Sequence, residues 1–233
     1  MILKKWADLP ENFKNDDVKE YYDLLRKKRG SLLAKRIFDI VVSALMLIVL
    51  FPVFLILALI IKIDSKGPVF YRQVRVTSYG KLFKIFKFRT MVQNADKIGT
   101  QVTVNNDSRV TKIGSFLRKY RLDELSQLID VFRGTMTFVG VRPEVPKYVE
   151  HYTDEMLATL LLPAGITNKT SIYYKNESEL LDKSSDVDKT YIEQVLPEKM
   201  KYNLKGLREF NFFSDIRIMF MTVAAMLGKE YTE

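Results

Sequence analysis

The run Ile40–Ile61, IVVSALMLIVLFPVFLILALII, decides the architecture of this chain because it contains no charged side chain. As one helix its 22 residues would extend about 33 Å, enough to cross a hydrocarbon core of about 30 Å. A core helix of a soluble protein is rarely apolar on every face over that length. The run starts too late and is too long for a secretory signal peptide. It therefore predicts a membrane-inserted segment.

Pro52 lies in the middle of this run and predicts a kink or a break, because proline removes a backbone donor and clashes with the preceding turn. The charges that flank the run are positive at both ends: Lys35, Arg36, Lys62 and Lys66. Positive side chains prefer the cytoplasmic side, so a helix-break-helix hairpin keeps both clusters there and a straight span does not. These residues alone leave the hairpin and a kinked single span equally open.

The polar segment before the run, residues 1–34, predicts one amphipathic helix. Asp16 or Asp17 is suited to cap it. Its apolar face would consist of Val18, Tyr21, Tyr22 and Leu25. It ends in the basic stretch Arg26–Arg29, which suits anionic headgroups. A solvated helix end whose cations favour the helix dipole explains that stretch equally well.

The composition limits the chemistry. Lys and Arg number 37 against 28 Asp and Glu, so the net charge of +9 suits an anionic partner. There is no cysteine and His151 is the only histidine, which excludes disulfides, thiolate sites and zinc sites built on several imidazoles. A metal here must be held by oxygen atoms, as Mg²⁺ is.

A β-hairpin is predicted after the apolar run. The segment Val69–Val76 alternates well enough for a strand, Ser78–Lys81 is typical of a turn, and Leu82–Arg89 alternates apolar with basic residues. The basic face of the second strand, with Lys87 and Arg89, suits phosphates or lipid headgroups. A solvated edge strand protected by lysine explains the same pattern and is preferred without further context.

Several helices are predicted in the remainder, over residues 114–121, 123–133, around 191–205 and 210–227. The second would have Leu125, Leu128, Ile129 and Phe132 on its apolar face and end at Gly134. The last carries a stripe of Ile216, Phe220, Val223 and Leu227. That stripe either lies in a membrane interface or packs on the domain, and packing is the preferred interpretation.

The acidic pair Asp123-Glu124 is the candidate site. Adjacent acidic pairs arise by chance in a chain with 28 acids, and Asp154-Glu155 is another. The setting distinguishes the first pair, because it follows the basic stretch Arg118–Arg121 and begins a predicted amphipathic helix. Fixed cations beside a carboxylate that can bind a metal are what phosphoryl transfer needs.

Several short motifs follow one another in a fixed order: Lys35–Asp39, Asp64–Phe70, Lys87–Met91, Ser108–Gly114, Leu117-Arg118, Leu122–Leu128 and Gly134–Glu144. Each is weak alone, but in this order they are specific. From about Lys35 to its end, the chain resembles the monotopic phosphoglycosyl transferases, also called the bacterial sugar transferase family.

The resemblance implies an α+β, monotopic membrane protein at the cytoplasmic face of the bacterial inner membrane. A re-entrant helix-break-helix would precede a small, mostly helical α/β catalytic domain, which favours the hairpin at Pro52. We therefore expect a polar, basic extension (1–34), a membrane hairpin (35–66) and a catalytic domain (67–233).

The resemblance also implies a polyprenyl-phosphate hexose-1-phosphate transferase. Asp123 would attack the sugar-proximal phosphate of a UDP-sugar, carrying a hexose or an N-acetylhexosamine, and release UMP. Polyprenyl phosphate, such as undecaprenyl phosphate, would then take the phosphosugar from Asp123. This is a first membrane step in making a bacterial surface glycan such as an exopolysaccharide or capsule. Splitting one hard step into two is the advantage of covalent catalysis.

Residue roles follow from the same resemblance. Asp123 would also bind Mg²⁺, with Mn²⁺ as an alternative, and Glu124 would help to hold the metal or the helix start. Arg118 and Arg142 would grip the nucleotide-sugar phosphates, for which a guanidinium is well shaped. Lys87 and Arg89 match the basic motif near the active site.

The partners implied are the UDP-sugar donor, the polyprenyl phosphate acceptor and the lipid bilayer, with a homodimer and downstream glycosyltransferases as further candidates. Nucleic acid is not expected, because no binding motif or aromatic platform is found. The competing hypothesis is a membrane-anchored basic adaptor without catalysis. An adaptor would have no need of Asp123-Glu124 beside Arg118 and Arg142.

The chain departs from the family pattern at four places. Phe51-Pro52 stands where many members have Ser-Pro, and Ser126 and Val141 each stand where many have proline. The loop Leu162–Asn168 lacks the basic residue that relatives often carry there. Since that loop helps to shape the donor site in relatives, the identity of the sugar stays open.

Overall fold

The computed structural model describes residues 3–95, 107–173, 180–181, 184, 186–229 and 231. Over these residues the fold is α+β, with many helices and two separate two-stranded sheets. The helices are α1 Asp16–Lys27, α2 Arg29–Val49, α3 Phe51–Asp64, α4 Lys112–Lys119, α5 Leu128–Arg133, α6 Pro146–Val149, α7 Asp154–Leu157, α8 Lys169–Tyr173, α9 Val187–Thr190, α10 Leu196–Arg208 and α11 Phe212–Met226. The strands are β1 Phe70–Val76, β2 Leu82–Phe88, β3 Met136–Val139 and β4 Ala164–Thr167.

The apolar run forms two helices that meet at Leu50 with a bend of 61°. Within the described chain, neither helix alone is long and apolar enough to cross a bilayer, but the bent pair passes by length and composition together. Pro52 is in the first turn of α3, where its missing N–H is tolerated. Backbone bonds continue on both sides of the break, from Leu50 N to the Met46 carbonyl at 2.8 Å and from Phe54 N to the Leu50 carbonyl at 2.9 Å. The break predicted at Pro52 is therefore present, two residues earlier.

The two faces of this helix pair differ in their surroundings. Helix α2 buries Leu32, Lys35, Asp39 and Ser43 against the rest of the protein. Many large apolar side chains of both helices are exposed instead: Leu33, Ile37, Ile40, Val41, Leu45, Ile48, Val49, Phe51, Val53, Leu55, Ile56, Leu59 and Ile63. An apolar surface of this extent is typical of a membrane or interaction surface.

Buried charges fix α2 to the domain. Lys35 Nζ donates to the Val139 carbonyl at 2.7 Å and to Asp215 Oδ2 at 2.5 Å. Asp39 accepts from the Thr137 hydroxyl at 2.7 Å and from the backbone N–H of Phe138 at 3.3 Å. The residues Lys35 and Asp39 of α2, called the root of the helix pair below, are thus joined to β3 and α11 by bonds that satisfy their charges.

The N-terminal segment packs on the domain. The predicted apolar face of α1, Val18, Tyr21, Tyr22 and Leu25, is buried in a cluster with Leu161 and Leu207. The predicted cap was wrong: Asn15 caps the helix by accepting from Val18 N at 2.8 Å.

Each predicted strand segment forms part of a pair. Strands β1 and β2 are antiparallel and are joined by a turn at Ser78–Gly80, whose Tyr79 has a φ of 59°. Strands β3 and β4 are parallel, with Val139 opposite Thr167. Gly165 permits this pairing, because a Cβ there would lie 2.1 Å from the backbone nitrogen of Gly140.

The helix predicted over residues 123–133 is divided into a 3₁₀ turn, Leu122–Gln127, and the short α5. Leu128 and Val131 are buried, whereas Phe132, which was assigned to the apolar face, is 47% exposed. The apolar face differs because the 3₁₀ turn rotates the side chains that follow it. Gly134 ends α5 with a φ of 85°, as predicted.

Helix α11 corrects a second prediction. It packs through Asp215 and Ile218, whereas Phe220, Val223 and Leu227 of the predicted stripe are mostly exposed. The stripe therefore does not pack on the domain, and its exposure favours the interfacial alternative.

Candidate active site

The acidic pair lies in the 3₁₀ turn between α4 and α5, and this turn packs on β2. The chain enters the turn through Arg121, which has a left-handed φ of 53°. Ser126 supports the turn by donating to the Asp123 carbonyl at 3.4 Å. The pair therefore has a fixed backbone at the edge of the β1–β2 hairpin.

Glu124 is bound by two cations. Arg142 donates to it through both terminal nitrogens, one bond being 3.3 Å long. Lys87 Nζ lies 3.5 Å from Glu124 Oε1. Burial opposes ionisation of Glu124, but Arg142 and Lys87 outweigh it and hold the pKa of Glu124 well below its usual range. Glu124 is thus a permanent anion that positions Arg142 and Lys87.

Asp123 has a different environment from Glu124. Within the described chain no other residue forms a hydrogen bond or ion pair with its carboxylate, and the residue is half-buried. Burial raises the pKa of Asp123, the negative charge of Glu124 adds to this, and Lys87 and Arg118 counteract it. Asp123 therefore offers a partly desolvated carboxylate beside fixed cations, which suits a nucleophile or a metal ligand.

Arg118 is held near this carboxylate by Thr90. Its Nε donates to the Thr90 hydroxyl at 2.8 Å. Burial lowers the pKa of Arg118, and the charge of Asp123 opposes this shift. Gly114 allows α4 to pack closely against the backbone of Thr90, because a Cβ at this position would lie 1.9 Å from the Thr90 carbonyl oxygen. Among the described residues no other group bonds to this guanidinium, so its two terminal nitrogens can bind an anion.

Lys87 and Arg89 are two residues apart on β2 and just beyond it, but they have different partners. Burial lowers the pKa of Lys87, with Glu124 opposing this shift. Arg89 instead donates to the Ser65 carbonyl at 2.6 Å, the Ser65 hydroxyl at 3.0 Å and the Ile61 carbonyl at 3.3 Å. The structure therefore brings Lys87 to the acidic pair and places Arg89 at the end of α3, where it caps the helix.

The described residues contain no group of three or more His, Asp or Glu side chains that could hold a metal by themselves. Both partners of Glu124 would have to release it before it could bind a metal. Among the described residues no cation bonds to the Asp123 carboxylate, so nothing there competes with a metal ion for it. A single carboxylate together with substrate phosphates is a usual environment for Mg²⁺. The arrangement thus fits a metal held at Asp123 and bound substrate, and fits Glu124 less well as a ligand.

The sequence analysis missed some residues that shape the site. Thr90, which orients Arg118, lay inside the Lys87–Met91 motif and could have been singled out there. Glu144 lay beside Arg142, but its partners are distant in sequence: it accepts from the Tyr191 hydroxyl at 2.6 Å and from Lys199 at 3.3 Å. No local pattern predicts such pairs.

Comparison with known proteins identifies the family of this chain. The family model described as bacterial sugar transferase matches residues 30–229. The UDP-glucose:undecaprenyl-phosphate glucose-1-phosphate transferase of Escherichia coli K12 is 38% identical over 82% of this chain and 39% of its own length. The UDP-N-acetylgalactosamine-undecaprenyl-phosphate N-acetylgalactosaminephosphotransferase of Aeromonas hydrophila is 31% identical over 83% of this chain and 43% of its own length.

A shorter relative is covered over most of its length. The exopolysaccharide production protein ExoY of Rhizobium meliloti is 30% identical over 83% of this chain and 85% of its own length. By contrast, the chain spans about two fifths of the length of the two relatives above. The match to the family model covers most of the chain, from the start of the apolar helix pair to the end of α11. This chain belongs to the bacterial sugar transferase family.

Proposed function

We propose that this protein transfers a hexose-1-phosphate or an N-acetylhexosamine-1-phosphate from a UDP-sugar to polyprenyl phosphate and releases UMP. The observation that carries the proposal is the contrast within the acidic pair: Glu124 is neutralised by Arg142 and Lys87, while Asp123 is left without a bonding partner in the described chain. The names of the relatives, which act on UDP-sugars and undecaprenyl phosphate, support the same reaction.

In the first half-reaction, a carboxylate oxygen of Asp123 attacks the sugar-bearing phosphorus of the UDP-sugar. The bond from that phosphorus to the oxygen bridging the two phosphates breaks, and UMP leaves with the bond electrons. In the second, a phosphate oxygen of polyprenyl phosphate attacks the same phosphorus. The bond to Asp123 breaks and the free carboxylate is restored, so the protein ends unchanged.

The cations give this chemistry its physical basis. A carboxylate that approaches a diphosphate meets like charge, and Arg118, Arg142 and Lys87 offset it from fixed positions. Arg118 is oriented by Thr90, and Arg142 by Glu124, so neither must be reorganised as charge moves to the leaving phosphate. A Mg²⁺ ion held by Asp123 and the substrate would add Lewis-acid neutralisation of the phosphate oxygens.

The apolar helix pair supports a membrane location for this reaction. We infer that α2 and α3 form a re-entrant hairpin in the cytoplasmic leaflet. Lys35 and Arg36 near its start and Lys62 and Lys66 near its end would then lie on one side, as positive residues prefer. The exposed stripe of α11 would rest in the same interface.

The test of the reaction is UMP release from a panel of UDP-sugars by the full chain in nanodiscs with undecaprenyl phosphate and Mg²⁺. We expect release with a restricted set of sugars, and mass spectrometry should find a phosphosugar on Asp123 when the acceptor is omitted. Asp154→Asn is the matched control, since Asp154 is the exposed first residue of another acidic pair. UMP release that persists in Asp123→Asn would contradict the proposal.

The membrane topology can be tested separately. Because the sequence contains no cysteine, a maleimide reacts only with a cysteine that is introduced. Single cysteines at Lys27 and Lys66, both exposed, can be labelled with a membrane-impermeant maleimide in oriented vesicles. A re-entrant hairpin predicts labelling of both positions from the same side. Labelling from opposite sides would show a kinked span.

A further inference from the structure

A polar cleft opens beside Arg142, away from the acidic pair. Its volume is about 360 Å³ when the open mouth is included. The residues that line it include Arg142, Asn168, Thr170, Ser171, Lys199 and Asn203. Arg142 therefore borders both the acidic pair, through Glu124, and this cleft.

The fold places the cleft there for a definite reason. Strands β3 and β4 are parallel, so their carboxyl ends meet at one edge, and Gly140 N donates to the Thr167 carbonyl at 2.9 Å. Arg142 follows β3 and Asn168 follows β4 at this edge. Ligands commonly bind outside the carboxyl ends of parallel strands. The segment Leu162–Asn168, which departs from the family pattern and was predicted as a loop, contains strand β4 and ends at Asn168.

The wall of the cleft is a network of neutral hydrogen-bonding groups. Asn203 Oδ1 accepts from Asn168 Nδ2 at 3.0 Å and from the Thr170 hydroxyl at 2.8 Å. The Asn203 Nδ2 group has two N–H donors, and within the described chain it bonds to the Met200 sulfur at 3.7 Å, a weak acceptor. Asn203 is only 7% exposed, so its orientation is fixed. The wall thus keeps donor capacity for a ligand.

Two cations and one carboxylate complete the lining: Arg142, Lys199 and Glu144. Lys199 donates to Tyr191 at 2.9 Å and lies 3.3 Å from Glu144, and only 11% of its side chain is exposed. These bonds hold the ammonium group in place at the cleft. Amides, hydroxyls and a fixed cation are suited to a ligand that carries several hydroxyl groups or an acetamido group.

The lining also argues against a nucleobase. Among the described residues that line the cleft, none carries an aromatic ring on which uracil could stack. A nucleobase site usually combines stacking with hydrogen bonds. The polar cleft is therefore better matched to a polyol than to the uridine end of a nucleotide.

We propose that this cleft binds the sugar ring of the nucleotide-sugar donor, and that Asn168, Thr170 and Asn203 determine which hexose is accepted. The assignment rests on the proposed function. When the sugar-bearing phosphate lies between Asp123 and Arg142, the sugar ring contacts Asn168 and Thr170. The uridine end of the donor then lies outside this cleft. A site built to bond a hydroxyl discriminates strongly against an epimer that misplaces it.

The experiment compares UDP-sugar and UMP binding, because UMP lacks the sugar. Titration calorimetry is done on the full chain in nanodiscs without acceptor, in an Asp123→Asn background that prevents turnover. Thr170→Val removes a hydroxyl at nearly constant volume. Ser171→Leu fills the cleft from an exposed position, and it serves as the second variant if Thr170→Val does not fold. Lys201→Leu, on the same helix as Lys199 but 70% exposed, is the control.

We expect either cleft variant to weaken the preferred UDP-sugar at least tenfold and to change its ranking among epimers, while UMP affinity stays within twofold. Parallel weakening of UMP would place the nucleoside in the cleft and overturn the assignment. Unchanged UDP-sugar affinity in both variants would overturn it too. If the Asp123→Asn protein without any cleft substitution binds neither UMP nor any UDP-sugar, the proposed function itself fails. That result differs from a change confined to the cleft variants.

Discussion

Two groups of buried charge differ in one respect. At the root of the helix pair, Lys35 bonds to Asp215 and Val139, and Asp39 bonds to Thr137, so each charge is satisfied within the chain. At the candidate active site, Glu124 is satisfied in the same way, but no group in the part of the chain that the structure describes bonds to the carboxylate of Asp123. The root cluster holds the fold, and the active-site cluster keeps one anion available for a partner outside the chain.

The difference has an energetic meaning. Desolvating a charge is costly unless bonds replace the lost water, so a charge without such bonds destabilises the folded state. Burial raises the pKa of Asp123, but it also raises the pKa of Asp215 in the other cluster, so the missing bonds and not the pKa distinguish Asp123. A metal ion that binds beside Asp123 would offset this cost, and the contrast can be tested with substitutions in each cluster.

The largest expected effect on activity is that of Asp123→Asn. Because no other residue in the described chain bonds to this side chain, the change should leave the melting temperature within a few degrees of the parent. Turnover should fall by about 10⁴-fold or more, as loss of a nucleophile does. UMP release and thermal unfolding in detergent measure the two quantities separately.

Asp130→Asn provides the opposite contrast. Asp130 is buried and accepts from Phe86 N at 2.8 Å and from Thr135, so its loss should lower the melting temperature rather than act on chemistry alone. If Asp123→Asn unfolds the protein as readily as Asp130→Asn, the claim that Asp123 has no structural role is wrong.

The root cluster should respond with stability. Lys35→Met leaves Asp215 and Asp39 buried without their cation, which typically costs about 3–5 kcal/mol. We expect a large drop in the melting temperature in detergent micelles, with any loss of activity following from unfolding.

Replacing both partners is the sharper comparison. Lys35→Met combined with Asp215→Leu removes the pair instead of breaking it, and such replacements are often neutral. We expect the double variant to recover most of the stability lost by Lys35→Met. Arg29→Met, at an exposed position of α2, is the control. No recovery would mean that Lys35 acts mainly through the Val139 carbonyl.

The local parts of this fold could be predicted from the sequence. Alternation predicted β1 and β2, helical spacing predicted the buried face of α1, and Gly134 marked the end of α5. These features depend on neighbours in the chain. Three predictions were wrong: the cap at Asp16 or Asp17, Phe132 on a buried helix face, and the packed stripe of α11. They depended on what each residue meets in three dimensions.

The candidate site divides in the same way. The ordered motifs predicted the acidic pair and its basic surroundings, but not that Arg142 binds Glu124 while Arg89 caps α3. Both residues are arginines within family motifs. Their partners differ because α3 packs against β2 and so brings the Ile61 and Ser65 carbonyls to Arg89. The cleft beside Arg142 could not be predicted, because the residues of its wall come from three separate segments.

A smaller effect is expected for Arg142→Lys. Lysine keeps the charge but not the forked geometry that reaches both Glu124 and a phosphate. A hydrogen bond to a charged group contributes about 1.5–3 kcal/mol, so kcat/KM should fall by roughly 10–100-fold. Arg217→Lys, at an exposed position of α11, is the control. Full activity would show that Arg142 serves only to neutralise Glu124.

The smallest effect is a shift of the acid limb in Glu124→Gln. Asp123 must be ionised to attack, and its pKa is raised, so kcat/KM should fall as the pH is lowered through that pKa. Removing the Glu124 charge takes away one cause of the increase and frees Arg142 and Lys87 from their partner. Both changes lower the pKa of Asp123, so the limb should move to lower pH even if the plateau drops. Glu150→Gln, at an exposed position, should leave the limb in place. An unmoved limb in Glu124→Gln would show that burial alone raises the pKa of Asp123, and the two acids would then be electrostatically independent.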